Sequence, residues 1–166
     1  MEKAKHFFSR LIEEHKDKIY RICCYYLSDE EDRKDLYQEA LLNIWKGLKT
    51  FRGDAAFSTW MFRITVNTAL KFLSKKRSQQ QKNSQYSDQL ITDNKIVDND
   101  GLDKINLLHK GISQLPLIDM IIISLVLEEV SSKEIAKFTG LTDSNVRIRI
   151  HRAKETLKKS IEGGEL

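Results

Sequence analysis

The chain of 166 residues predicts an all-α protein, built as two small helical domains joined by a flexible linker. Three observations carry that reading. Apolar residues recur at three- and four-residue steps over long stretches, with few of the alternations a strand would show. Pro116 is the single proline, so helix interiors go almost unbroken. Between two helical blocks, residues 78–100 turn to Gln, Asn, Asp and Ser, too polar to bury a core. The expected boundaries are 1–77 for the first domain, 78–100 for the linker and 101–166 for the second domain.

The elements follow in order. Phe7, Phe8, Leu11, Ile12, Ile19, Ile22, Cys23 and Tyr26 follow three- and four-residue steps and make a first, amphipathic helix. The acidic run Ser28-Asp29-Glu30-Glu31-Asp32 suits a helix N-terminus through the macrodipole, so a second helix starts there and carries Leu36, Ala40, Leu41, Ile44, Trp45 and Leu48 inward. Phe51 to Phe57 reads as a loop. Ser58 or Thr59 is expected to cap a third helix, with Trp60, Ile64, Ala69, Leu70 and Leu73 spaced along it. A helix begins near Gly101 and runs past Leu108 and Ile112. Pro116 opens the next as a first-turn residue, and the apolar run from Ile118 to Val130 is the core of the second domain.

Composition limits the function classes. Cys23 and Cys24 are adjacent, have no third cysteine to pair with, and read as reduced packing residues. His6, His15, His109 and His151 do not gather with cysteine at ligand spacing, so neither a metal nor a cofactor is expected. The polar N-terminus is not a signal peptide, and the longest apolar stretch is too short to span a bilayer. A cytoplasmic protein without membrane insertion is the expectation. No nucleophile or Gly-rich phosphate loop accompanies the carboxylates Asp35 and Glu39, so no catalytic residue is assigned and the chain is not expected to be an enzyme.

The C-terminal segment is the most specific. Ser131 and Glu134 form a capping box, Ala136 is small enough for close helix approach, and Gly140 supplies the positive φ of a tight turn. Thr142 then caps a helix that turns Val146 and Ile150 inward. This is a helix-turn-helix, and its second helix is cationic: residues 145–160 hold six Lys or Arg and one Glu, while residues 111–166 as a whole balance eight against eight. A second basic stretch, Arg63 to Arg77, has five cations and no acid. Two tethered modules, each with a basic helix, suggest two contacts on one nucleic acid, where the second contact becomes effectively intramolecular.

At this point three segments resemble a known family. Asp35-Leu36-Tyr37-Gln38-Glu39-Ala40-Leu41-Leu42-Asn43-Ile44-Trp45 is similar to the DLxQExFxxxW signature of sigma factor domain two, and Phe51 to Asn67 is similar to the segment that follows it. The helix-turn-helix, with Asn145-Val146 ahead of Arg149-Ile150-His151-Arg152-Ala153, resembles sigma factor domain four. Order, linker and length match the extracytoplasmic function (ECF) group of the sigma-70 family. Arg147 and Ile148 depart from the pattern, which usually has Lys and a small polar residue there. Leu117 to Val126 is more apolar than usual, consistent with a thicker core or with a surface covered by a partner.

The resemblance implies an RNA polymerase sigma factor that binds core polymerase and recognises minus-10 and minus-35 promoter elements. It implies that Asp35, Gln38, Glu39 and Asn43 touch core polymerase; Trp45 fits either that contact or core packing, and Leu36 reads as core. Asp54, Ala55, Ser58 and Thr59 would shape a pocket for a flipped base of the minus-10 element, Asn67 would hydrogen-bond a base, and Arg63, Lys71, Lys75, Lys76 and Arg77 would hold phosphates. Trp60 and Phe57 fit either stacking on bases or core packing. Ser144, Asn145, Arg147, Arg149 and Arg152 would meet the minus-35 element in the major groove, where Arg can bridge guanine. An anti-sigma factor is the further partner implied. A stand-alone helix-turn-helix regulator is the alternative, but leaves the Asp35–Trp45 signature unexplained; a protein-binding scaffold leaves the basic helices unexplained.

Overall fold

Helices form where the sequence supplies an apolar face and, in most cases, a cap. The computed structural model describes residues 2–83 and 100–163, and among them are seven α-helices, one 3₁₀ turn and no strand. They are α1 (Glu2–Tyr26), α2 (Glu30–Gly47), the 3₁₀ turn Leu48–Thr50, α3 (Phe57–Asn83), α4 (Asp100–Ser113), α5 (Leu117–Leu127), α6 (Ser132–Thr139) and α7 (Asp143–Glu162). Asp29 caps α2, accepting from the Asp32 amide, and Glu30, Glu31 and Asp32 fill its first turn as the acidic run predicts.

Helices α1, α2 and α3 pack as a bundle around Ile19, Ile22, Leu36, Ile44, Met61, Phe62 and Val66. Helices α4 to α7 enclose Ile112, Ile122, Ile123, Leu125, Ile135 and Val146. Gly111 marks the closest approach of α4 to α7: a β-carbon there would come within 2.9 Å of a Leu157 methyl. The two cores run together, because α1 also packs against α4 and α5.

Several expectations change. Phe57 is already helical, so Ser58 and Thr59 lie in the first turn of α3 and neither is its cap. The buried face of α3 is Met61, Phe62, Thr65, Val66 and Ala69, while Trp60, Ile64, Leu70 and Leu73 are only partly covered. Helix α3 continues to Asn83, six residues beyond the predicted end of the first domain. Glutamine and lysine propagate a helix already nucleated, and their polarity forbids burial without forbidding helicity. The rest of the predicted linker, 84–99, lies outside the described residues. Pro116 stands one residue ahead of α5, at its N-cap.

The apolar segment Met120 to Leu125 is buried within the chain, packed with α1, α4, α6 and α7. Of the wider run Leu117 to Val126, Leu117 stays 50% exposed, and α1 supplies part of the cover over the rest. Helix α5 ends in a Schellman motif: the Glu129 amide donates to the Val126 carbonyl and the Val130 amide to the Leu125 carbonyl. Glu129, where glycine is usual, takes φ +65°. No helix among the described residues is long and apolar enough to cross a membrane.

Candidate nucleic-acid interface

The helix-turn-helix is built as its residues dictate. Ser131 accepts from the Glu134 amide while Glu134 returns to the Ser131 amide, closing the capping box. Gly140 ends α6 at φ +74°. The Thr142 hydroxyl accepts from the Asn145 amide at the head of α7. Val146 is fully buried and Ile150 half-buried, so the opposite side of α7 is left outward.

On that outward side Ser144, Asn145, Arg147, His151, Arg152 and Lys154 are exposed, with Ile148 among them at 49%. They share one convex surface of the shape a major groove admits. The expected arginines are not alike. Arg147 pairs along the helix with Asp143 at 2.8 Å and is largely in solvent. Arg149 is half-buried and donates to Asp119 of α5 at 2.8 Å, tying the two helices together. Arg152 is exposed.

Helix α3 carries the second surface. Thr59, Arg63, Asn67, Lys71 and Lys75 follow one another at four-residue steps, forming a gently spiralling stripe. Asn67, Lys71 and Lys75 are exposed at its far end. Lys76 is half-buried and pairs with Asp32 of α2, which removes it from the free phosphate-holding cations. The near end is covered: the Thr59 hydroxyl donates to Glu134 of α6 at 3.2 Å, and the Arg63 guanidinium lies 5.1 Å over the Phe138 ring. Ahead of the stripe, Asp54 is exposed while Ala55 and Ser58 are partly covered. Trp60 clusters with Phe51 and Phe57, at centroid distances of 5.2 and 5.3 Å, and its indole packs beside Gly47. This partly exposed aromatic group anchors the loop to α3.

The third surface is on α2. Asp35, Gln38, Glu39 and Leu42 occupy one exposed face, Leu42 at 49%, opposite the buried Leu36, Ala40 and Ile44. Among the described residues, Leu42 is the one large apolar side chain exposed on this polar, acidic face. Asn43 lies at its edge and its amide donates to the Thr68 hydroxyl of α3 at 3.1 Å. Trp45 is partly buried against Phe8, with centroids 4.8 Å apart.

Sequence reasoning missed one constellation. Glu128, its side chain wholly buried, accepts from Arg21 Nε at 3.0 Å and Nη2 at 2.8 Å, and from the Tyr25 hydroxyl at 3.2 Å. Burial, reinforced by the Glu128 charge, pushes the Tyr25 phenol up to about 12. Tyr26 and Ser124 share a buried hydrogen bond of 3.0 Å. These residues join α1 to α5 and its C-terminal turn. Two glutamates after an apolar run were the only trace of this in the chain, and nothing in their spacing points to Arg21.

Residues 11–79 match the family model described as Sigma-70 region 2, and residues 105–157 match that of Sigma-70, region 4. The chain is 26% identical to the ECF RNA polymerase sigma factor SigW of Bacillus subtilis, over 93% of this chain and 88% of that one. It is 28% identical to the RNA polymerase sigma-H factor of Pseudomonas aeruginosa, over 95% and 88%. In fold it is similar to the sigma factor RpoE of Bartonella quintana, solved in complex with the anti-sigma factor NepR, with a TM-score of 0.71, 17% identity and coverage of 93% and 96%.

Proposed function

The chain belongs to the extracytoplasmic function group of the sigma-70 family and is an RNA polymerase sigma factor, and on that footing we propose how its residues divide the work. The exposed α2 face of Asp35, Gln38, Glu39 and Leu42, with Asn43 at its edge, docks on core polymerase. The α3 stripe takes the minus-10 element: Lys71 and Lys75 hold phosphates, Asn67 and Arg63 reach bases or backbone, and Asp54, Ala55, Ser58 and Thr59 shape a pocket for a flipped base. Trp60 supports that pocket from the aromatic cluster. Ser144, Asn145, Arg147, Arg149 and Arg152 of α7 meet the minus-35 element. The protein works in the cytoplasm and not as an enzyme: it positions polymerase and strand, and performs no bond chemistry of its own.

The observation that carries this reading is the presence, on one chain, of two separate cation-bearing helical surfaces and a third surface that is acidic with an exposed leucine. A stand-alone DNA-binding regulator has no use for the third. Likeness to a sigma factor solved with its anti-sigma factor supports a protein inhibitor as a further partner. Full-strength transcription in cells without any inducing condition would remove that support.

Run-off transcription over a set of promoters, with core RNA polymerase and with or without the protein, tests the assignment. Promoter-specific transcripts that appear only on its addition are expected. Duplex binding without polymerase association or transcript would return the chain to the regulator reading.

A further inference from the structure

We infer that Ile148 is a base-reading residue of this chain, and that it reads the C5-methyl group of a thymine in the minus-35 element. The inference rests on the proposed placement of α7 in the major groove of that element, and adds the kind of base that one side chain selects there.

Ile148 stands at the centre of the outward side of α7. Val146, two residues before it, is fully buried, and Ile150, two residues after, is half-buried. A step of two turns a helix by about 200°, so Ile148 points away from the core. Its neighbours at three- and four-residue steps are Ser144, Asn145, His151 and Arg152, all exposed. It lies in the second turn of α7, among the N-terminal residues that meet base edges when such a helix docks. Its direction is fixed before any contact is made. Val146, Ala153 and Leu157 are buried along one side, and Arg149 holds Asp119 of α5 at 2.8 Å, so α7 cannot roll about its axis. A β-branched side chain within a helix also keeps one strongly preferred χ1. Contact therefore costs Ile148 little conformational freedom.

The chemistry of the side chain selects its partner. A single exposed isoleucine is ordinary on a protein surface; what sets Ile148 apart is its place in the middle of a polar and cationic face. Arg147, Arg152 and Lys154 around it are exposed and draw that face to a phosphate backbone, so the surface over Ile148 is DNA. Ile148 has no donor and no acceptor. Set against a guanine, adenine or cytosine edge, it strips water from a polar group and returns no hydrogen bond. Thymine alone presents an apolar group in the major groove, its C5-methyl. Ile148 thus favours thymine by contact and disfavours the other bases by what it withholds. Because this position departs from the family pattern, the preference belongs to this chain.

The test uses the full chain bound to core RNA polymerase. Promoter duplexes randomised over the minus-35 region are selected by binding to this holoenzyme, sequenced, and checked for run-off transcription. Each thymine of the selected element, on either strand, is then replaced singly by deoxyuridine, which removes only the methyl group. Anisotropy of the labelled duplex reads the affinity. Expected is one thymine, or two neighbours, whose replacement weakens wild-type binding about fourfold, the worth of one buried methyl, and leaves binding of Ile148→Ser unchanged. Such a cycle isolates the pair formed by the methyl and the isoleucine. Ile148 is on the surface, so Ile148→Ser should melt within about 2 °C of wild type, and the deoxyuridine series on wild type needs no variant at all. A selected element without thymine, or wild type indifferent to every deoxyuridine, overturns the inference alone and turns Ile148 over to a protein partner. The same loss in Ile148→Ser as in wild type also overturns it. Absence of both a selected sequence and a transcript overturns the sigma factor reading, and the inference with it.

Discussion

The Asn43 side-chain amide on α2 donates to the Thr68 hydroxyl on α3 at 3.1 Å, and that hydroxyl donates to the Ile64 carbonyl at 2.8 Å. The helix proposed to dock on polymerase is thereby fixed to the helix proposed to meet the minus-10 strand. Asn43→Ala is expected to lower stability by about 1 kcal/mol, the usual net value of one such bond. A urea midpoint measured without polymerase reads this directly.

Among the described residues, Asp35, Glu39 and Leu42 make no comparable internal bond. Replacing Asp35 and Glu39 together by Ala, or Leu42 by Ala, is expected to leave the thermal midpoint within about 2 °C, as surface changes do. The same changes should weaken the complex with core polymerase by about tenfold or more per variant, as loss of a central contact does. Titration with labelled core enzyme checks it; unchanged affinity would remove the α2 face from the docking surface.

Gly140 and Glu129 both adopt positive φ, one suited to it and one not. Gly140→Ala should cost about 1–2 kcal/mol, the price of forcing a β-carbon into the left-handed region. Glu129→Gly relieves the same strain and should raise stability by up to about 1 kcal/mol. Thermal scans of the two variants should move in opposite directions.

Arg149 and Arg152 share α7 but should fail differently. Arg149→Ala breaks the tie to Asp119, so it should lower stability as well as promoter affinity. Arg152→Ala should spare stability and weaken minus-35 binding by about 1–3 kcal/mol if it reaches a base. Paired melting curves and binding to duplexes with each minus-35 position changed distinguish base contact from phosphate contact.

The cysteines offer a probe of folding. Burial pushes the Cys23 thiol up to about 12, and Cys24 is also raised by burial. Thiolate is the reactive form, so at pH 8 neither should react with a disulfide reagent at the rate of a free thiol, and Cys24, the less buried, should react first. Both should react fully in urea. Rapid labelling of Cys23 in the folded protein would contradict its place in the core.

Much of this was legible in the chain because it is local. The capping box at Ser131, the left-handed Gly140, the Thr142 cap and the acidic start of α2 each depend on residues within one turn of each other. The exposed face of Asp35, Gln38, Glu39 and Leu42 and the stripe from Thr59 to Lys75 follow from helical periodicity once the helices are known. The start of α3 was misjudged because loop and first turn share the same polar residues, and its end because glutamines suit a linker and a helix alike. Met61, Phe62 and Val66 took the buried positions of α3 and left Trp60 and Ile64 at its flanks, since both faces of α3 carry apolar residues and only the neighbouring helices choose between them.

What the sequence determined by itself is the set of helices, their caps, and the charge each surface bears, all fixed by short-range chemistry. Only the tertiary structure decided that Asp119 holds Arg149, that Asp32 takes Lys76, that Glu134 covers Thr59, and that Glu128 finds Arg21 across 107 residues. Such pairings depend on how whole helices pack, and a carboxylate reveals its partner only when burial leaves it no water to turn to.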